Sequence, residues 1–183
     1  MNTPPLRVML VDDHQVVRDG IKLLLAEVPD VVVCAEASSA RDAVATAAQA
    51  LPDIVVMDVR LSDGSGIEAT RDIRAARPVT QVLMLTSFAD DQALFASILA
   101  GAAGYVLKQI RGTDLVDTVR RVAAGQSMLD PAVTQRVLER IRNGVEAPQE
   151  LKSLTEQERR ILIHVAEGMT NREIAANSAS SSS

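Results

Sequence analysis

One stretch near the middle of the chain reads Pro52-Asp53-Ile54-Val55-Val56-Met57-Asp58-Val59-Arg60. A continuous apolar run of this length, entered after a proline, is typical of a strand that is buried on both faces. Asp58 ends the run and turn-forming residues follow it, so we expect its carboxylate where the strand reaches the surface. In an open parallel sheet this edge is where ligands bind, although an isolated aspartate here can equally begin a turn.

The composition is that of an ordinary globular protein. Of the 183 residues, 47% are hydrophobic and 23% are charged, and the formal net charge of −5 argues against a general polyanion-binding surface. No apolar run reaches the roughly 18 residues of a membrane span, and the N-terminus lacks the pattern of a secretory signal. The single cysteine, Cys34, permits no internal disulfide and is expected to be buried. We therefore expect a cytoplasmic protein without membrane contact.

Strand-like and helical patterns alternate five times along the first two thirds of the chain. Strand-like runs occupy residues 7–11, 31–35, 54–58, 81–87 and 104–108, and helical patterns follow at 14–27, 39–50, from 65, at 91–100 and around 115–122. Parallel strands need crossover connections, so this alternation predicts an α/β fold with helices on both faces of a parallel sheet. Right-handed crossovers favour the flavodoxin-like, doubly wound strand order 2-1-3-4-5.

Five polar side chains stand at the ends of the predicted strands. Asp12 and Asp13 follow the first strand and Asp58 ends the third, so the predicted order brings the three carboxylates together. Carboxylates this close repel one another unless a cation lies among them, and oxygen ligands suit Mg²⁺. Thr86 and Lys108 add a hydroxyl and an ammonium from the fourth and fifth strands. The set suits phosphoryl transfer to a carboxylate nucleophile.

These residues resemble the receiver domain of a two-component response regulator, which has a CheY-like fold. The resemblance covers about residues 6–125 of a first domain placed at 1–125, and it rests on Asp12-Asp13-His14, Asp58, Leu85-Thr86-Ser87 and Gly104-Tyr105-Val106-Leu107-Lys108. Two positions depart from the family's pattern. Ser62 stands where the family most often has proline, and Gln109 replaces an acidic residue, but neither change removes a group of the site.

The resemblance implies a role for each of these residues. Asp58 would accept a phosphoryl group from the phosphohistidine of a sensor histidine kinase, and Lys108 would pair with that group. Thr86 and Tyr105 would form the conformational switch. The implied cofactor is Mg²⁺, held by Asp12, Asp13, Asp58 and the backbone carbonyl of Arg60. The implied activity is limited to phosphotransfer onto the chain's own aspartate and slow self-dephosphorylation, so we expect no enzyme acting on another substrate.

A second resemblance concerns the residues after the receiver. A helix is predicted at about 131–142 within a linker spanning 126–150. Residues 151–176 resemble the first part of the helix-turn-helix output domain of NarL/FixJ (LuxR-type) regulators, particularly actinobacterial ones, through Leu154-Thr155, Glu158, Gly168 and Thr170-Asn171-Arg172-Glu173-Ile174-Ala175. This resemblance implies DNA contacts by Thr170, Asn171 and Arg172. The family's recognition helix has no counterpart here, and the serine-rich residues 177–183 are expected to be disordered or artefactual.

Two functions are compatible with these patterns. The first is a phosphorylation-switched response regulator that controls transcription, forms a homodimer on phosphorylation and binds DNA in its full-length form. The alternative is a receiver-type signalling or interaction module that does not bind DNA, because the recognition helix is missing. Other classes fit less well. Phosphatases of the haloacid dehalogenase type need Asp-x-Asp, which Asp58-Val59-Arg60 lacks, and Asp12-Asp13 would repel the phosphate of FMN.

Overall fold

Five parallel strands form the centre of the computed structural model, which describes residues 4–87 and 90–129. In chain order the elements are β1 (Leu6–Val11), α1 (Gln15–Ala26), β2 (Val31–Ala37), α2 (Ala40–Ala50), β3 (Ile54–Asp58), β4 (Arg60–Leu61), β5 (Gly64–Ser65), α3 (Gly66–Ala76), β6 (Gln81–Thr86), α4 (Asp91–Leu99), β7 (Gly104–Leu107) and α5 (Gly112–Ala123). The main sheet has the order β2-β1-β3-β6-β7. Counted along the chain, its strands therefore follow the order 2-1-3-4-5, and the predicted flavodoxin-like fold is confirmed.

Helices cover both faces of the sheet because side chains alternate between the faces along each strand. Val55 and Met57 of β3 pack on one face with residues of α2 and α3, while Ile54 and Val56 pack on the other with residues of α1 and α5. All four side chains are at most 2% exposed. Each buried side chain of this size contributes about 1.5–3 kcal/mol, which fixes the register of β3. Asp58 is consequently held in place as the last residue of the central strand.

A short hairpin follows β3 almost directly, and the sequence analysis did not predict it. β4 and β5 pair antiparallel, with Arg60 opposite Ser65 and Leu61 opposite Gly64. The sequence showed only turn-forming residues here, because strands of two residues are too short to show an alternating pattern. Leu61 nevertheless anchors the hairpin, since its side chain is buried in the core on the α2 and α3 face.

Two local expectations can be compared with the structure. The helix predicted from residue 65 begins at Gly66, and Ser65 is its N-cap, accepting a hydrogen bond from the N–H of Ile67 over 3.2 Å. The expectation of a buried Cys34 is wrong. β2 is an edge strand and continues to Ala37, so the Cys34 side chain is only partly covered, and this partial burial raises the pKa of its thiol.

The predictions for the C-terminal part lie almost entirely outside the described residues. They concern the linker at 126–150 with its helix at 131–142, the partial helix-turn-helix at 151–176, the contacts of Thr170, Asn171 and Arg172, and the tail at 177–183. The structure describes only the first four linker residues, where Met128 bridges to Gly104 beside the edge of the sheet. None of the helices within 4–87 and 90–129 combines the length and apolar character needed to cross a bilayer.

Two glycines offer a matched test of the contact between α3 and β3. A Cβ at Gly66 would lie 1.8 Å from the carbonyl oxygen of Asp58, whereas a Cβ at Gly20 in α1 would meet no atom within 4 Å. We expect Gly66→Ala to lower the free energy of unfolding by about 1–3 kcal/mol, and Gly20→Ala to raise it by about 0.5–1 kcal/mol. Urea unfolding measures both changes. A Gly66→Ala variant as stable as the parent would contradict this packing.

Candidate functional site

The carboxylates at the ends of β1 and β3 lie together. Val11 stands opposite Met57 in the parallel pairing of these strands, so the next residues, Asp12 and Asp58, leave the sheet side by side. Ligand atoms of Asp12, Asp13, His14 and Asp58 all lie within 4.8 Å of one another. Asp12 is 3% exposed and Asp58 is 6% exposed. The strand order thus gathers several negative charges where water screens them poorly.

The ammonium group of Lys108 balances part of this charge. Its Nζ lies 2.6 Å from Oδ2 of Asp12 and 2.8 Å from Oδ2 of Asp58. The backbone fixes where the side chain begins, because the N–H of Lys108 donates to the carbonyl of Thr86 over 2.7 Å. Burial lowers the pKa of Lys108, but the hydrogen bonds to Asp12 and Asp58 outweigh burial and raise it above its usual value. Lys108 is therefore charged at neutral pH and bridges the two carboxylates.

Asp58 holds a proton more tightly than an ordinary aspartate does. Burial raises the pKa of its carboxyl, the hydrogen bond from Lys108 opposes that rise, and repulsion from Asp12 adds to it. Oδ1 of Asp58 also accepts a long hydrogen bond, 3.4 Å, from the N–H of Arg60. Because the pKa of Asp58 is raised on balance, the negative charge of its carboxylate is only partly compensated. A further cation beside these oxygens would lower the pKa, so the pocket favours one.

A cavity opens beside the carboxylates. It has a volume of about 220 Å³ and is lined by Asp13, His14, Asp58, Arg60, Leu61, Ser62, Thr86, Ser87 and Lys108. This space is many times what one water molecule needs, so it has room for a divalent ion with bound water and one phosphoryl group. The structure therefore brings five of the sequence-predicted site residues, Asp13, Asp58, Arg60, Thr86 and Lys108, to one cavity.

Thr86 and Tyr105 lie on adjacent strands at this end of the sheet. Thr86 ends β6 and is 6% exposed, and Tyr105 on β7 stands opposite Met84, two residues before Thr86. Burial raises the pKa of Tyr105, and the nearby Thr86 side chain partly offsets that rise. The ring of Tyr105 is half-buried and packs against the core on the α2 and α3 face. The two residues are thus close enough for the position of one side chain to affect the other.

Two side chains to which the sequence analysis gave no role complete the surroundings of Asp12. The N–H of His14 donates to Oδ1 of Asp12 over 2.9 Å, and its ring Nδ1 lies 2.8 Å from Oδ1 of Asp13. Nη1 of Arg18 donates to the backbone carbonyl of Asp12 over 2.6 Å, while its Nε lies 3.3 Å from Glu36. Arg18 follows His14 by one helical turn, and that spacing could have indicated its position. The contact with Glu36 on β2 had no signal in the sequence.

Most of the chain is similar to known signalling proteins. Residues 8–120 match the family model of the response regulator receiver domain. Over 170 residues the chain is 44% identical to the DNA-binding transcriptional activator DevR/DosR of Mycobacterium tuberculosis. This match covers 93% of this chain and 78% of DevR/DosR. The chain belongs to the two-component response regulators. The response regulator protein VraR of Staphylococcus aureus is 38% identical to it over 174 residues, or 94% of this chain and 81% of VraR.

A solved structure agrees with this membership. The crystal structure of a LuxR-family response regulator from Aurantimonas sp. SI85-9A1 matches with a TM-score of 0.66 and 36% identity, over 75% of this chain and 99% of that chain. The regulator is accordingly of the LuxR/NarL type. Receiver domains bind Mg²⁺ at an acidic pocket, and Asp12, Asp13 and Asp58 form an acidic cluster of that kind here.

Removing Lys108 tests the balance of charge in the site. We expect Lys108→Met to lower the free energy of unfolding by about 3 kcal/mol in EDTA at pH 7, because two buried carboxylates lose their counter-ion. The raised pKa of Lys108 means that its contribution is complete below the unfolded-state value of 10.5 and disappears only as the pH rises through the higher folded-state value. The loss should therefore be constant around neutral pH.

Lys22 on α1 supplies the matched control. Its ammonium also contacts two carboxylates, those of Asp19 and Glu36, but on the surface. Because water screens such pairs, Lys22→Met should cost less than about 1 kcal/mol. Urea unfolding measures the free energy of unfolding of both variants. Equal, small decreases in the two variants would mean that Lys108 does not neutralise the site.

Proposed function

We propose that this regulator is switched by phosphorylation and controls transcription, with Asp58 accepting a phosphoryl group from the phosphohistidine of a sensor histidine kinase. The observation that carries this proposal is the position of Lys108, whose ammonium contacts Asp58 at the carboxyl end of the central strand. A phosphoryl group entering the cavity would meet a carboxylate, an ammonium and the hydroxyl of Thr86 together. Response regulators are phosphorylated by such kinases, and the relative DevR/DosR is a DNA-binding transcriptional activator.

The acidic cluster has the donor chemistry of a magnesium site. Its carboxylates come within 4.8 Å of one another, and a hard divalent cation prefers oxygen donors. We assign the binding of Mg²⁺ to the carboxylates of Asp12, Asp13 and Asp58 and to the backbone carbonyl of Arg60. His14 offers nitrogen, which suits Mg²⁺ poorly, and its side chain is 69% exposed. When bound, the ion neutralises negative charge on the carboxylates and on the phosphoryl oxygens.

Three side chains of the receiver take part in the proposed phosphoryl transfer. A carboxylate oxygen of Asp58 forms a bond to phosphorus while the bond from phosphorus to the imidazole nitrogen of the donor breaks, and the imidazole leaves. Lys108, already 2.8 Å from Oδ2 of Asp58, pairs with an oxygen of the transferred group. The buried hydroxyl of Thr86 donates a hydrogen bond to another. Water later hydrolyses the acyl phosphate, so the regulator acts on no second substrate.

Thr86 and Tyr105 connect the phosphoryl group to the surface of the receiver. When Thr86 turns towards the new phosphoryl oxygens, space beside it becomes available to the half-buried ring of Tyr105. This movement shifts the population between two arrangements of the surface formed by α4, β7 and α5. The phosphorylated arrangement favours a homodimer of this cytoplasmic regulator. DNA contacts by Thr170, Asn171 and Arg172 belong to the same proposal.

Intact-mass analysis tests the phosphoacceptor. After incubation with Mg²⁺ and acetyl phosphate, the regulator should gain one phosphoryl group that alkali removes, and the gain should disappear when EDTA is added. Asp58→Asn should gain nothing. Asp53→Asn, at the exposed residue just before the same strand, should gain as much as the parent does. An equal gain in Asp58→Asn would show that the phosphoryl group resides elsewhere.

A further inference from the structure

The β4–β5 hairpin carries at its turn a carboxylate that binds a helix far away in the sequence. Oδ1 of Asp63 accepts a hydrogen bond from the N–H of Ala40 over 2.7 Å, and Oδ2 accepts one from the N–H of Arg41 over 3.2 Å. These are the first two residues of α2, whose N–H groups have no partner within the helix. The next N–H, of Asp42, is bound by the hydroxyl of Ser39. Asp63 thus caps the start of α2 from outside that helix.

The electrostatics of this contact keep Asp63 ionised. The hydrogen bond from the N–H of Ala40, reinforced by that from Arg41, holds the pKa of Asp63 below its usual value. The carboxylate also faces the positive end of the α2 dipole. The contact is therefore between a charged acceptor and two aligned donors, which is a stronger restraint than a hydrogen bond between neutral groups.

The base of the same hairpin adjoins the phosphoacceptor site. The N–H of Arg60 points to Oδ1 of Asp58, and the N–H of Gly66 donates to the carbonyl of Val59 over 3.0 Å. Antiparallel pairing of Arg60 with Ser65 joins the two ends of the hairpin. A restraint on the turn therefore restrains the backbone of Arg60 as well.

The start of α2 is in turn connected to the other half of the site. The N–H of Asp12 donates to the carbonyl of Ala37 over 3.3 Å, and Ala37 ends β2 only three residues before α2 begins at Ala40. The Asp63 contact thus joins the hairpin that follows Asp58 to the segment that supports Asp12. These are the two strand ends from which the carboxylates of the acidic cluster come.

We propose that Asp63 is a positioning residue for the phosphoacceptor site. Its two hydrogen bonds to α2 hold the hairpin of residues 60–65 so that the backbone of Arg60, whose carbonyl we assigned to the metal ion, stays beside Asp58 in the cavity. Ser62, which does not stiffen the turn as a proline would, makes this restraint more important. The inference rests on the proposed function, because it assigns Asp63 to the same magnesium-dependent phosphorylation without giving it contact with the reacting atoms.

The rate of phosphorylation at a series of Mg²⁺ concentrations tests the proposal, with the full chain and acetyl phosphate. In Asp63→Ala, the Mg²⁺ concentration for half-maximal rate should rise about tenfold, as is usual when a group supporting a metal ligand is removed. Asp63→Asn keeps one acceptor oxygen and should show a smaller rise. It also keeps the test decisive if Asp63→Ala does not fold.

Two controls separate positioning from a simple loss of stability. Ser39→Ala weakens the same helix end and removes the contact of its hydroxyl with Asp63, but it leaves both backbone hydrogen bonds to Asp63 in place, so its unfolding midpoint should fall while its Mg²⁺ requirement stays close to that of the parent. Asp72→Ala removes an exposed carboxylate of α3 that has no hydrogen bond or ion pair within the described part of the chain, and it should change neither property.

An Asp63→Ala variant that loses stability but keeps the parental Mg²⁺ requirement, as Ser39→Ala should, would overturn the proposal and leave Asp63 as a helix cap only. Failure of the parent chain itself to take up a phosphoryl group would instead overturn the proposed function, and this inference with it.

Discussion

The site depends on the two ion pairs that the ammonium of Lys108 makes with Asp12 and Asp58. Carboxylates that are almost fully buried cannot stay close and ionised without a positive charge beside them. The strand order supplies that charge, because β7 lies next to β6 and β6 next to β3, so a lysine at the end of the edge strand reaches the central one. The topology that buries β3 on both faces therefore also assembles the charges of the site.

The loop that follows Asp58 is held by contacts with other parts of the fold. Leu61 packs into the core and Asp63 binds the start of α2, so two anchored residues follow Arg60 in the hairpin. Close packing of Gly66 against the carbonyl of Asp58 fixes the other side of the loop. Asp63 and Gly66, which hold this loop, do not line the cavity, so their contacts leave it open to an ion and a phosphoryl group.

Sequence reasoning recovered the fold and the acidic cluster because both follow from periodicity and strand ends. Asp12, Asp13, Asp58, Thr86 and Lys108 each end or follow an apolar run, and one parallel order brings all such ends to one edge. It could not recover the bond between Asp63 and Ala40, which joins residues 23 positions apart. Nor could it show that Arg18 supports the carbonyl of Asp12. Such contacts depend on how elements pack, and no local pattern encodes them. The partial burial of Cys34 was not predicted, because an edge strand such as β2 and a central strand can have the same apolar composition.

The proposed roles of Asp58 and Lys108 are tested most directly by a crystal structure of the regulator with Mg²⁺ and beryllofluoride, a mimic of the phosphoryl group. We expect the ion among Asp12, Asp13 and Asp58 and the backbone carbonyl of Arg60, with beryllofluoride on Asp58. Nζ of Lys108 should have moved from Asp12 to a fluorine atom. A structure at saturating concentrations in which Lys108 still bridges the two carboxylates, with Asp58 unmodified, would show that Asp58 is not the phosphoacceptor.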